Sequence, residues 1–301
     1  MNPSAPSRAT APPLNLRAIL RAIRPPQWVK NVLVFAAPGA AGELTNGSIL
    51  ARTLAAFVAF CLASSATYLL NDAADVESDR KHPKKRFRPI AAGLVTVQQA
   101  RNAAAVIGLL AAVIGGIVST GLLITLTGYV ALTTAYSLHL KHIPIVDVLA
   151  VSFGFMLRAV AGGAATDVPL TRWFYLVVGA GALLLIVGKR LGELRSAHGS
   201  VATRPVLAKY SLTTLRSLVV VASLTAMAGY LLWVSVESSE VANQSTLIWL
   251  SAVPFVGGVI RYAGLSDKGR GESPDKLVFK DPVTLGCGIL WVALFGAAVY
   301  L

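Results

Sequence analysis

Long apolar segments recur along almost the whole chain, and they constrain its fold more than any other feature. Most run to about 18 residues or more, enough for an α-helix to cross the roughly 30 Å hydrocarbon core of a bilayer. Only 14% of the 301 residues are charged and the mean hydropathy is +0.65, whereas soluble domains carry about 25% charged residues. Strand-like alternation is absent, so the sequence predicts an all-α, polytopic membrane protein.

Nine segments are candidates for transmembrane helices. The first is the shortest, and it contains Pro38 and Gly39, which disfavour a helix. The predicted spans cover about 31–43, 50–70, 98–118, 121–138, 145–165, 172–190, 211–232, 247–264 and 282–301.

The N-terminal region differs in composition from the rest of the chain. Residues 1–13 are rich in Pro, Ala and Ser, which predicts a disordered tail. Residues 14–23 (LNLRAILRAI) place apolar and basic residues at helical spacing, which predicts an interfacial helix on an anionic leaflet. No apolar stretch precedes a cleavage site, so a signal peptide is not indicated. Residues 14–301 are expected to form a single transmembrane domain.

The positions of Lys and Arg predict the orientation, because basic loops stay in the cytoplasm. The segments 1–30, 71–97 and 189–210 carry most of the basic residues, and all three fall on one side of the nine predicted spans. The other side receives mainly acids, with Arg172 as the one base that we assign to it. We therefore expect a cytoplasmic N-terminus and an external C-terminus in the plasma membrane. The net charge of +13 reflects this topology; nucleic-acid binding is not indicated.

The most charged stretch of the chain, NDAADVESDRKHPKKRFRPIAAG at 71–93, follows directly on the second span. If the helix continues past Leu70, Asp72, Asp75 and Asp79 fall within about 60° of one another on one face, with Asn71 one turn before Asp75. Clustered carboxylates repel one another unless a cation neutralises them, and Mg²⁺ prefers a few carboxylates plus substrate phosphates. His82 and Pro83 are expected to end the helix.

Four basic residues follow this acidic cluster within a few positions: Lys84, Lys85, Arg86 and Arg88. Arg forks bind phosphate in a bidentate manner and Lys acts as a point charge. Acids and bases so close together predict a site for a metal-diphosphate ligand, in which Lys85 and Arg88 contact phosphate oxygens. The alternative is that the bases serve only as a cytoplasmic anchor of the span.

A second polar loop, GKRLGELRSAHG at 188–199, follows the sixth span. Lys189, Arg190 and Glu193 make it a candidate phosphate-binding site. The alternative is a surface ion pair between Lys189 and Glu193, which are four residues apart and would gain little from pairing.

Three smaller groups are further candidates for substrate binding. Arg24, Gln27 and Lys30 precede the first span, where they alternatively form an interfacial anchor with Trp28. Tyr136, Lys141 and Asp147 lie at the cytoplasmic ends of the fourth and fifth spans, where the alternative is a short basic turn. Arg158 lies inside the fifth span, where an ionisable group usually faces a cavity or a partner; the alternative is a buried structural ion pair.

The pattern N-D-x-x-D-x-x-x-D followed by H-P-x-K-x-x-R-P-I-A-x-G, at 71–93, resembles the UbiA superfamily of intramembrane prenyltransferases. The resemblance extends over RPPQWVKNVLVFAAP (24–38), LRAVAGG (157–163), GKRLGEL (188–194) and PDKLVFKDPVTL (274–285). It implies nine transmembrane helices around a central cavity whose cytoplasmic mouth is covered by two polar loops. Typical members carry a second acid-rich motif, often DxxxD, on the loop after the sixth span, whereas this chain has KRLGE at 189–193.

The resemblance is greatest to members that transfer phosphoribosyl groups. It implies a donor, 5-phosphoribosyl diphosphate, an acceptor, decaprenyl phosphate, and Mg²⁺ held by Asp72, Asp75 and Asp79 with help from Asn71. The basic KRLGE loop suits two phosphorylated substrates better than an aromatic acceptor. Two alternatives stay open: prenyl transfer from a prenyl diphosphate to an aromatic acceptor, and transport of a phosphorylated lipid or anion. A homotrimer in the bilayer is also expected.

Overall fold

The computed structural model describes residues 15–196, 205–236, 245–274, 277 and 280–301. These ranges are almost wholly helical and contain no β-strand. The short helices include α1 (Leu16–Ala22), α2 (Ala36–Ala40) and α4 (Val76–Lys81). The long helices are α3 (Gly47–Ala74), α5 (Val97–Val118), α6 (Thr120–Leu138), α7 (Val146–Thr166), α8 (Arg172–Ser196), α9 (Leu212–Val236), α10 (Ser245–Asp267) and α11 (Pro282–Tyr300).

In the described part of the chain, eight helices are long and apolar enough to cross a membrane. They coincide with eight of the nine predicted spans, so the prediction of an all-α, multi-pass membrane protein is confirmed. The first predicted span, 31–43, takes a different form. The chain there makes a 3₁₀ helix, Pro25–Phe35, which continues into α2. Since a 3₁₀ helix rises about 2.0 Å per residue against 1.5 Å in an α-helix, this segment still extends roughly 30 Å.

The predicted interfacial segment, 14–23, contains helix α1. Asn15 begins this helix by accepting a hydrogen bond from the Ala18 amide, while Leu16 and Leu20 are exposed and Ala18 and Ala22 are buried. Its position on a membrane surface stays a prediction. The predicted disordered tail, 1–13, lies outside the described residues.

The helices pack in two groups joined through α7 and α8. One apolar core lies between α3, α5, α6, α7 and the 3₁₀ helix, around Phe60, Leu122 and Tyr129. A second core lies between α8, α9 and α10, around Val187, Leu191 and Leu215. The C-terminal part of α3 lies in a further apolar cluster with α1 and α5, which includes Leu69 and Ala73. Its last turn carries Asn71 and Asp72 to the end of the bundle where α4 begins, which we call the mouth.

An ion pair at the opposite end of the bundle corrects the assignment of bases to the two sides. Arg52, on the first turns of α3, donates a hydrogen bond to Asp167 at 2.8 Å. Arg172 is therefore not the one base on that side. The pair joins the start of α3 to the end of α7, and the wider asymmetry of Lys and Arg is unchanged.

One glycine on α7 permits direct contact with the 3₁₀ helix. A Cβ atom built on Gly162 would lie 1.9 Å from the carbonyl oxygen of Val34 and 3.0 Å from Cδ of Pro38. The backbone oxygen cannot move away without breaking the packing of the segment against the core. Only glycine therefore fits where the two backbones meet.

We expect Gly162→Ala to lower the free energy of unfolding by about 1–3 kcal/mol, the usual cost of forcing extra atoms into a packed interior. Thermal unfolding in detergent measures the effect. Gly128→Ala is the matched control, because a Cβ there meets nothing within 4 Å. Equal unfolding temperatures for the two variants would show that the contact between α7 and the 3₁₀ helix is not tight.

Candidate active site

The acidic motif lies where α3 meets α4, at the mouth of the bundle. The predicted continuation of the helix past Leu70 is confirmed as far as Ala74, where α3 ends, and Asp75 separates it from α4. The predicted end at His82 is also confirmed, because His82 is extended and follows the last residue of α4. The three aspartates thus come from two helices and the junction between them.

Asp72 and Asp79 are buried side by side and share one cation. Nη1 of Arg88 donates to Asp72 at 3.0 Å and to Asp79 at 2.7 Å. Nη2 of Arg24 donates to both oxygens of Asp72, at 2.6 and 2.8 Å. The two carboxylates are 3% and 1% exposed, and such buried charges are stable only when they are paired and hydrogen-bonded. Two arginines therefore supply the neutralisation that the sequence assigned to a metal.

Asp75 lies apart from this buried pair. Its side chain is 43% exposed, and its carboxylate lies 3.9 Å from Nζ of Lys141. Lys141 belongs to a 3₁₀ turn, Leu140–His142, between α6 and α7. Glu77, two residues further on, pairs with Arg80 on the surface.

The donor atoms fit a hard divalent cation, although the three aspartates do not form a ready-made site. Among the described residues, no group of three or more His, Cys, Asp or Glu side chains is arranged to hold a metal. Oδ1 of Asp79 is buried without a hydrogen-bond partner, with Nζ of Lys85 at 3.8 Å. An unsatisfied buried carboxylate oxygen beside a second carboxylate suits an ion that takes its other ligands from phosphate and water.

Arg24 reaches this cluster from a strained backbone. It has φ 54° and ψ 60°, a left-handed conformation that costs about 1–2 kcal/mol for a residue with a Cβ. The position is also directly before Pro25, where extended geometry is preferred. The contacts with Asp72 offset this cost, together with a cation–π contact 4.8 Å from the centre of the Tyr68 ring.

The other residues before the first span lie close to Arg24. Nζ of Lys30 donates to Gln27 at 2.6 Å. The indole of Trp28 donates to Ser65 on α3 at 3.1 Å, so this tryptophan packs on the bundle rather than acting only as an interfacial anchor.

Arg190 is the centre of a second buried cluster. Its Nε donates to Asp147 at 3.0 Å, its Nη1 to Glu193 at 2.9 Å, and its Nη2 makes a long contact of 3.5 Å with the hydroxyl of Tyr136. Two predicted members of the second loop, Arg190 and Glu193, thus lie together with Tyr136. Arg190 is buried and forms the ion pair with Glu193 that the sequence alternatively assigned to Lys189. Lys189 is half-buried beside it, and residues 197–204 lie outside the described ranges.

Tyr210 completes this cluster, and sequence reasoning missed it. Its hydroxyl donates to the second oxygen of Asp147. Burial first, and then this hydrogen bond, raise the pKa of Tyr210 to about 12, so the hydroxyl keeps its proton at neutral pH. The two residues are 63 positions apart, and no spacing pattern links them.

Arg158 forms a third, deeper group. Its guanidinium is 6% exposed and donates to Asn31 at 2.8 Å, to the carbonyl of Gly154 at 2.7 Å and to Tyr129 at 2.9 Å. All three acceptors are neutral, so the alternative of a buried ion pair does not hold in the described part of the chain. The group joins the 3₁₀ helix, α6 and α7.

Comparison with known proteins agrees with this architecture. The model of the UbiA prenyltransferase family matches residues 32–280. The chain belongs to the UbiA prenyltransferase family. A decaprenyl-phosphate phosphoribosyltransferase of Mycolicibacterium smegmatis is 39% identical, over 96% of this chain and 95% of its own. Another from Corynebacterium glutamicum is 40% identical, over 96% of this chain and 89% of its own.

A solved structure shares the fold at much lower identity. A UbiA homologue of Archaeoglobus fulgidus, bound to DMAPP and Mg²⁺, superposes with a TM-score of 0.71 over 94% of this chain and 99% of its own, at 16% identity. This likeness confirms the predicted UbiA-like architecture.

We expect Arg158→Lys to destabilise the protein by about 2 kcal/mol or more, since a lysine cannot reach the acceptors on three elements and leaves buried polar groups unpaired. Arg101→Lys, on the exposed start of α5, is the control. Thermal unfolding in detergent distinguishes them. If both variants unfold at the wild-type temperature, the hydrogen bonds of Arg158 do not hold the bundle together.

Proposed function

We propose that this protein transfers the 5-phosphoribosyl group from 5-phosphoribosyl diphosphate to decaprenyl phosphate, and that diphosphate is released. One observation carries the proposal: two buried carboxylates, Asp72 and Asp79, lie at the mouth of the bundle within contact of several cations. A metal-bound diphosphate needs both kinds of group. The family and the names of the near-full-length relatives support the choice of substrates.

The donor is assigned to the cluster around Asp72. Bound Mg²⁺, held by Asp72, Asp75 and Asp79 with Asn71 beside them, would neutralise charge that builds on the leaving diphosphate. Arg88 and Lys85 exchange their carboxylate partners for phosphate oxygens when the donor binds. Their charge stabilises the transition state in a site that is partly closed to water.

The acceptor phosphate is assigned to the side of the mouth formed by Tyr136 and Lys189. Lys141, which lies beside Asp75, is assigned to the donor diphosphate. A phosphate monoester is already anionic at neutral pH, so its oxygen attacks C1 without a general base, and catalysis depends on positioning. In-line attack inverts the α donor to a β product. Arg190 and Glu193, engaged with each other, act by orienting Tyr136, while Gln27 and Lys30 border the donor beside Arg24. Arg158 lies deeper in the bundle and holds the 3₁₀ helix, α6 and α7 together.

The lipid chain is assigned to an apolar groove of about 450 Å³ between α6, α7 and α8. The groove begins beside Lys141, at Leu140 and Val146, and continues toward mid-membrane as far as Met156 and Gly179. A polyprenyl phosphate with its head at the second cluster would place its first isoprene units there. The rest of the chain would lie in the bilayer.

The charge distribution supports an orientation with the N-terminus and both clusters in the cytoplasm and the C-terminus outside, in the plasma membrane. Soluble 5-phosphoribosyl diphosphate would then reach the mouth directly. A trimer stays a prediction of the family resemblance.

Prenyl transfer to an aromatic acceptor is the second candidate, because the archaeal fold neighbour binds DMAPP with Mg²⁺. The cations near the acceptor side count against it, since an aromatic ring gains little from them. Transport of a phosphorylated lipid lacks such support, because the charged groups of the described part gather mainly at one end of the bundle.

We expect proteoliposomes of this protein to convert radiolabelled 5-phosphoribosyl diphosphate, decaprenyl phosphate and Mg²⁺ into a labelled lipid, with no product if any of the three is left out. Asp75→Asn should reduce the rate by about 100-fold or more, because it removes an exposed charge from the metal motif without disturbing the buried pairs. Glu77→Gln, two residues away and paired with Arg80 on the surface, should keep the wild-type rate.

A different result would redirect the assignment. If no labelled lipid forms but a prenyl diphosphate and an aromatic acid give product, the protein is a prenyltransferase of the second kind. If Asp75→Asn and Glu77→Gln behave alike, Asp75 is not part of the metal motif.

A further inference from the structure

The turn before α7 has a backbone conformation that its own sequence disfavours. Ile145 has φ 68° and ψ −50°, and the amide of Val146 donates to the carbonyl of Pro144 at 2.8 Å across it. These are the features of a classic γ-turn, which is rare and strained, and a β-branched residue makes it costlier. The side chain of Ile145 is 52% exposed, so packing does not account for the geometry.

A relay of hydrogen bonds holds this turn. The amide of Ile145 donates to the hydroxyl of Tyr210, which donates in turn to Asp147. The other oxygen of Asp147 accepts from Arg190. Asp147 is fully buried and Tyr210 is 8% exposed, so water does not readily replace these bonds.

The turn determines where Lys141 lies. It joins the 3₁₀ turn Leu140–His142 to α7, and the next residue inward, Val146, is the first of the helix. Lys141 extends from this connection to Asp75, across the gap between the two clusters. A change of the Ile145 backbone therefore moves Lys141 relative to the acidic motif.

We propose that Tyr210 and Asp147 are positioning residues, which hold the γ-turn at Ile145 so that Lys141 meets the diphosphate of the donor beside Asp75. The assignment rests on the proposed function for the identity of the donor. The positioning role itself requires only that a diphosphate binds at the acidic motif, and both candidate reactions use a diphosphate donor. A connection that served only to join α6 to α7 would not need a strained β-branched residue held by two buried side chains.

Tyr210→Phe tests this proposal, because it deletes one oxygen and leaves the ring in its apolar surroundings. We expect the Kd for Mg²⁺-diphosphate, measured by calorimetry, and the KM for 5-phosphoribosyl diphosphate to rise about tenfold, as for the loss of about one buried hydrogen bond. The KM for decaprenyl phosphate should change less than about twofold, since its chain contacts are untouched. Exchange of the amide hydrogens of 139–147 should become faster.

Tyr262→Phe is the matched control. Its ring lies in the same apolar core, and its hydroxyl donates to the carbonyl of Leu185, away from the turn. Both variants should lose similar thermal stability, but Tyr262→Phe should bind Mg²⁺-diphosphate as the wild type does.

Ile145→Gly in the Tyr210→Phe background is the decisive variant. Glycine adopts positive φ without steric cost, so the turn should form again without the phenol. We expect the double variant to recover binding to within about threefold of wild type. The hydroxyl of Tyr210 is needed only because Ile145 is strained in this turn, and glycine removes that strain.

Three results would overturn the proposal: unchanged diphosphate binding in Tyr210→Phe, equal weakening in Tyr262→Phe, or no recovery in the double variant. Failure of the proposed function is separate from these. It would appear as wild-type protein that binds Mg²⁺-diphosphate but forms no phosphoribosyl lipid, and in that case the binding measurements still decide the role of Tyr210.

Discussion

The hydrocarbon core of the bilayer offers no hydrogen bonds, and this constraint governs the whole molecule. Every backbone group inside it must find a partner within the protein, which is why the described chain is helical. The 3₁₀ helix Pro25–Phe35 departs from ordinary α-helical geometry and packs against α3 and α7, where Asn31 and Val34 are buried. The same constraint explains Arg158, whose guanidinium is satisfied by a side-chain amide, a backbone carbonyl and a phenol.

At the mouth of the bundle, where little water reaches the buried side chains, acids and bases neutralise one another. Asp72 and Asp79 are acids in a region with little water, and Arg24 and Arg88 compensate them. A ligand that carries its own metal and its own phosphates offers each group a new partner of the right sign. In the proposed binding of a metal-bound diphosphate, the acids would pair with the metal and the arginines with the phosphate, with little change in buried net charge. Such an exchange lets a buried polar site bind a highly charged donor without a large desolvation cost.

The periodicity of apolar residues was sufficient to predict eight spans, and His82-Pro83 predicted the end of α4. Local spacing also indicated that the three aspartates share one face. It did not predict that the helix is interrupted at Asp75, because that interruption depends on tertiary packing at the mouth. Contacts between distant residues were out of reach. Nothing in the spacing of Tyr210 and Asp147 predicts their hydrogen bond, and the left-handed Arg24 contradicts the usual preference before proline. The sequence also predicted a span over 31–43 without its 3₁₀ form or its close backbone contact with the distant Gly162.

The first span has a length that depends on its helix type. As a 3₁₀ helix, Pro25–Phe35 is longer by about 5 Å than the same residues would be as an α-helix. With α2 fixed against α7, the shorter form would pull Arg24 away from Asp72 by that distance and would turn Asn31 off the guanidinium of Arg158. One segment thus acts as a spacer of set length between a cation deep in the bundle, Arg158, and an acid at its mouth, Asp72. Gly162 fixes the position of this segment along α7, because only a residue without a Cβ leaves room for the carbonyl of Val34.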